Sequence, residues 1–132
     1  MGQTQLLLVI LGVLLVGVAI FVGISMFEAN AIENTRNAMI ADLNAFASRA
    51  HAYFWKPTTQ GGGNKSFVGV TMGMILPMGE NANASYSLDP AYPPTDSVCT
   101  IMGVGKIVSS NGDSIRIRIR ITEPRNWIEL LN

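Results

Sequence analysis

Apolar positions are distributed unevenly along this chain, and the pattern changes near Phe27. Residues 6–27 carry no charged side chain. These 22 residues suffice for a helix to cross a hydrocarbon layer, at about 1.5 Å of rise per residue. Beyond them a stripe begins. Ile32, Met39, Leu43, Phe46, Ala50 and Tyr53 recur at gaps of seven, four, three, four and three. That spacing keeps one helical face apolar, while Glu33, Asn37, Asp42, Asn44 and Ser48 supply the polar positions. No Pro separates the two segments, and Lys56-Pro57 ends them, because a residue before Pro avoids the α region. A single helix from about residue 4 to about residue 54, roughly 75 Å long, is predicted.

The pattern after Pro57 is different. Residues 57–64 have loop composition, and Gly61-Gly62-Gly63 reads as a flexible turn without the Lys-Ser/Thr sequel of a phosphate loop. Four strand-like runs follow, at 66–71, Ala84–Leu88, Val98–Val108 and Ser114–Thr122. Asn111-Gly112 between the last two predicts a type I′ hairpin turn, which requires positive φ at both central residues. Glu123-Pro124 ends the last run, and the tail at 125–131 reads as either a further strand or a helical turn docking Trp127 and Ile128. The expected fold class is α+β, a long N-terminal helix packed on a small antiparallel sheet. Its regions are an apolar helix at 1–27, an amphipathic continuation at 28–55 and a sheet head at 56–132.

Composition sharpens this picture in two respects. At 132 residues the chain is at most one domain, and its positive mean hydropathy comes from the N-terminal third. A head of this size buries a marginal core, so support from the helix or from neighbouring subunits is expected. A removable secretory signal fits poorly: residues 1–5 hold no Lys or Arg, and the apolar run exceeds the usual length. The segment is read as retained. Gly12, Gly17 and Gly23 are not at GxxxG spacing. They are either tolerated in a membrane helix or mark places where it loosens on leaving lipid.

Candidate chemistry is sparse. His51 is the sole histidine and reads as packed or capping, with no neighbouring nucleophile or carboxylate in catalytic order. No catalytic residue, cofactor or metal ligand is assigned, and an enzyme is not expected. Cys99, the sole cysteine, excludes an intrachain disulfide and reads as a buried strand residue. Arg116, Arg118 and Arg120 alternate with isoleucines, so they share one sheet face. They form either a solvated or inter-subunit face or a polyanion contact. Nine basic and nine acidic residues balance, without aromatic interleaving, which argues against nucleic acid. On the inter-subunit reading, Arg118→Glu is expected to weaken assembly more than folding. Asn64 and Asn83 open glycosylation sequons, which chance also produces in a chain rich in Asn and Ser.

A retained apolar helix with an amphipathic extension, followed by an antiparallel meander, resembles the type IV pilins and pseudopilins. With Met1 as first mature residue, Thr4-Gln5-Leu6-Leu7-Leu8-Val9-Ile10 aligns with the family's polar fifth position among apolar neighbours. The passage Ala45-Phe46-Ala47-Ser48-Arg49-Ala50-His51-Ala52-Tyr53-Phe54 before a Gly-rich loop is similar to pilin helix ends. This chain departs from the family in Met1 for Phe, Gln5 for Glu, Val22 for the usual Pro, and in lacking a disulfide. The resemblance implies a structural subunit polymerising into a cell-surface filament, first held in the inner membrane. Its implied partners are copies of itself, an assembly platform and an assembly ATPase. Gln5, Leu6, Leu7, Ile10, Leu14, Ile20, Phe21 and Ile24 would form the filament core, and Ile32, Met39, Leu43, Phe46 and Tyr53 the packing of helix on sheet. Two alternatives remain open: a pseudopilin of a secretion or DNA-uptake machine, and a single-pass membrane-anchored binding module.

Overall fold

The fold is that of a computed structural model describing residues 2–131. The apolar and amphipathic segments form one helix, α1 (Gly2–Trp55), as an Ala-rich sequence without Pro favours. The chain divides after Glu33 into two compact units. In the first, every large apolar side chain of residues 6–27 is exposed, and the segment is long and apolar enough to cross a membrane.

In the second unit, residues 34–55 of α1 pack on a four-stranded antiparallel sheet of β1 (Ala84–Leu88), β2 (Val98–Val108), β3 (Ser114–Thr122) and β4 (Asn126–Leu130), in that order. A short helix, α2 (Met72–Ile75), lies between α1 and β1. Alternation places Ile115, Ile117, Ile119 and Ile121 of β3 wholly in the core, beneath Met39, Leu43, Phe46, Ala47, Ala50 and Phe54 of α1. Glycines on β2 set how closely the helix approaches. A Cβ on Gly103 would meet the Tyr86 ring at 2.9 Å and Met39 Cε at 3.2 Å, and one on Gly105 would meet Met39 Sδ at 3.2 Å. Phe46 packs edge-on against Tyr86 at 4.8 Å between centroids. The Tyr86 hydroxyl and Asn81 Nδ2 both donate to Asp42 Oδ2 at 2.7 Å. Burial raises the Tyr86 pKa, and the hydrogen bond and charge of Asp42 raise it further, so the phenol remains a neutral donor.

Three local expectations are corrected. The run at 66–71 is not a strand. Gly69 takes φ +84°, and the Val70 N–H donates to the Phe67 carbonyl, so Phe67 and Val70 both turn inward. The β2–β3 turn is not type I′. Gly112 has φ +86° while Asn111 keeps a negative φ, and the Gly112 N–H donates to the Ser109 carbonyl. The Ser109 N–H in turn donates to the Asp113 carbonyl, which gives a three-residue loop with a left-handed Gly. The Gly-rich loop is not a flexible turn, because it closes the C-terminus of α1. N–H groups of Gly63, Asn64 and Lys65 donate to the carbonyls of Tyr53, Lys56 and Phe54, satisfying carbonyls that a helix end leaves unpaired. A Cβ on Gly62 would lie 2.2 Å from Lys56 O, which excludes any side chain there. Of the two readings of the tail, the strand is correct: β4 pairs with β3, Ile128 opposite Ile119.

Candidate functional site

Two surfaces stand out. The first is the apolar half of α1. Gln5, Leu6, Leu7, Ile10, Leu14, Ile20, Phe21 and Ile24 are all exposed. A Cβ at Gly12, Gly17 or Gly23 would meet nothing within 4 Å, so no close approach within the chain requires these glycines. The expectation concerning Met1 lies outside the described residues.

Of the residues expected to join helix and sheet, Met39, Leu43 and Phe46 are buried. Ile32 and Tyr53 are half-buried, and the Tyr53 hydroxyl donates to the Val68 carbonyl at 3.1 Å. His51 bridges α1 to the end of the sheet, with Nε2 2.9 Å from Asn126 Oδ1 and Nδ1 3.2 Å from Glu123 Oε2. Asn64 is exposed with φ +50°, and Asn83 is half-buried just before β1. Cys99 is fully buried in β2, and burial pushes its thiol up to about 11. Among the described residues no group of three or more His, Cys, Asp or Glu side chains is placed to hold a metal ion.

The second surface is the sheet face opposite α1. Strand register places Thr100, Arg120 and Trp127 side by side on β2, β3 and β4, with Met102, Arg118 and Glu129 in the next row. Across this face folds the turn Asp89-Pro90-Ala91-Tyr92, where the Tyr92 N–H donates to the Asp89 carbonyl at 3.1 Å. Asp at its first position and Pro at its second suit such a turn, and Asp89 Oδ1 accepts the Ala91 N–H at 3.0 Å. The turn delivers two groups to the arginines. Asp89, only 3% exposed, accepts from Arg118 Nε at 2.6 Å through Oδ2. The Tyr92 ring lies 5.0 Å from the Arg118 guanidinium and 5.5 Å from that of Arg120.

Arg118 also reaches Glu129 at 3.3 Å. Burial works against its charge, but the hydrogen bond and charge of Asp89, with those of Glu129, outweigh burial and raise its pKa. The three arginines of β3 therefore differ in kind. Arg118 is committed within the chain, Arg116 is exposed, and Arg120 is half-buried with Tyr92 against it. This differs from the uniform basic face read from the alternation. Charge reversal at Arg118 is expected to harm folding first, since it would set a new carboxylate against those of Asp89 and Glu129. The Asp89–Arg118 pair spans 29 positions. The Asp-Pro turn was its only sequence signal, and a turn does not disclose what it folds over.

No family model, curated protein or solved structure matches the chain.

Proposed function

We propose that this chain is a structural subunit that polymerises through residues 6–27 into a type IV pilus-like filament on the cell surface. The observation that carries the reading is that every large apolar side chain of that run is exposed in the chain by itself. Burying a large apolar side chain contributes about 1.5–3 kcal/mol, so the 17 large apolar side chains exposed between Leu6 and Phe27 demand a lipid or protein cover. Lipid serves while the subunit waits in the inner membrane. A bundle of identical helices serves afterwards, and heterologous contacts that do not close propagate as a fibre. The α+β architecture, with a helix on a small antiparallel sheet, is consistent with this family's plan. Gln5 keeps a hydrogen-bonding group at the fifth position without the cost of burying a carboxylate. On this reading the partners are copies of the chain, an assembly platform and an assembly ATPase.

Negative-stain electron microscopy of material sheared from the cell surface tests the reading, with the subunit identified by mass spectrometry. Thin uniform fibres made of this chain are the expected result. Recovery solely as small particles from detergent-extracted membranes would overturn it and favour a membrane-anchored binding module.

A further inference from the structure

We propose that the sheet face opposite α1 carries a binding site for an acidic sugar, with Arg120 receiving the carboxylate and Tyr92 and Trp127 stacking on the pyranose ring. The inference does not depend on assembly, since every residue it uses lies between Tyr92 and Glu129 of one chain.

Arg120 sits where two depressions meet. One, of about 280 Å³, is lined by Tyr92, Pro93, Thr95, Val98, Thr100 and Arg120. The other, of about 170 Å³, is lined by Arg118, Arg120, Trp127 and Glu129. A sugar ring seated over Arg120, where the two join, has Tyr92 of the larger depression on one side and Trp127 and Glu129 of the smaller on the other. Three independent features point to a ligand. Arg120 makes no ion pair among the described residues, whereas the adjacent Arg118 is neutralised by Asp89 and Glu129. Tyr92 and Trp127 remain 46% and 56% exposed on either side of it, although aromatic rings of this size are the groups burial favours most. Thr100, fully buried at the wall of the larger depression, has a hydroxyl with no hydrogen-bond partner.

The chemistry of these groups selects the ligand class. A planar guanidinium fork matches a carboxylate bidentately. Aromatic faces stack on the C–H face of a pyranose by apolar contact, while Glu129 accepts hydrogen bonds from ring hydroxyls. A hexuronate presents all three features together. A long polyanion suits the site poorly. It needs a row of uncommitted cations, and here one guanidinium is spent and Glu129 stands in the row.

Saturation-transfer NMR on the full chain in a sugar-free detergent tests this, with methyl glucuronide as probe and methyl glucoside and acetate as comparators. Ring protons of the glucuronide should receive saturation, and Arg120→Gln and Trp127→Ala should each weaken its binding about tenfold or more. Methyl glucoside should bind more weakly than the glucuronide, and Arg116→Gln should bind it like the parent chain. Far-UV circular dichroism of each variant confirms the fold. No transfer to the glucuronide, acetate binding as well as the sugar acid, or equal losses in Arg116→Gln and Arg120→Gln would each overturn the proposal.

Discussion

Arg118→Ala is expected to destabilise the sheet unit by about 3 kcal/mol, the lower end of the range for removing one member of a buried ion pair. The lower end applies because Arg118 keeps 18% of its side chain exposed, while Asp89 keeps only 3%. Truncation leaves the Asp89 carboxylate buried without its cation, and it also removes the guanidinium that Tyr92 rests against. The midpoint of denaturant unfolding, followed by circular dichroism, should therefore fall markedly. The double variant Asp89→Asn/Arg118→Met should recover much of the loss, since the amide keeps the oxygen that accepts the Ala91 N–H and no charge is left buried. An unchanged midpoint in Arg118→Ala would mean that this pair does not hold the turn on the sheet. Arg118 would then be available to solvent or to a neighbouring subunit, two of the readings that strand alternation leaves open.

Leu14→Glu should have the opposite profile. Leu14 lies mid-way along the apolar run and is exposed in the chain, so the sheet unit should unfold at the same midpoint as the parent. Assembly should be lost. A charged residue at the centre of a membrane helix costs about 2.5–3.5 kcal/mol on insertion scales, and an unpaired carboxylate inside a bundle of identical helices is repeated in every subunit. Leu14→Met, which keeps volume and polarity, should assemble normally. Fibre yield in the sheared fraction reads both variants. Normal fibres from Leu14→Glu would place this face of α1 in water and remove it from the assembly surface.

Some elements were legible in the residues because their signals are local. The stripe of Met39, Leu43, Phe46 and Ala50 is a helical period, and those side chains are buried. The isoleucine alternation of β3 is a strand period, and all four isoleucines are buried. Other elements failed where backbone geometry overrides composition. Phe-Val-Gly-Val reads as a strand, yet Gly69 takes positive φ and turns it into a loop that buries Phe67 against Phe54 at 4.8 Å. Three consecutive glycines read as flexibility, yet Lys56 and Ser66 leave no room for a Cβ at Gly62 and Gly63, and Gly61 takes φ +78°. The arginine row read as uniform, since the partners that distinguish Arg118 and Arg120 come from a turn distant in sequence and from β4. Long-range pairing of this kind leaves no periodic trace.

The central claim is that the apolar half of α1 is covered by copies of itself. A spin label at Val16→Cys measures that directly. The one native cysteine, Cys99, is buried with its thiol held up to about 11, so the label goes to residue 16. In assembled material the spectrum should be dipolar-broadened, and the broadening should fade as unlabelled chain is mixed into the assembly. A sharp spectrum in fibres, unaffected by dilution, would show residue 16 apart from its neighbours and contradict the account.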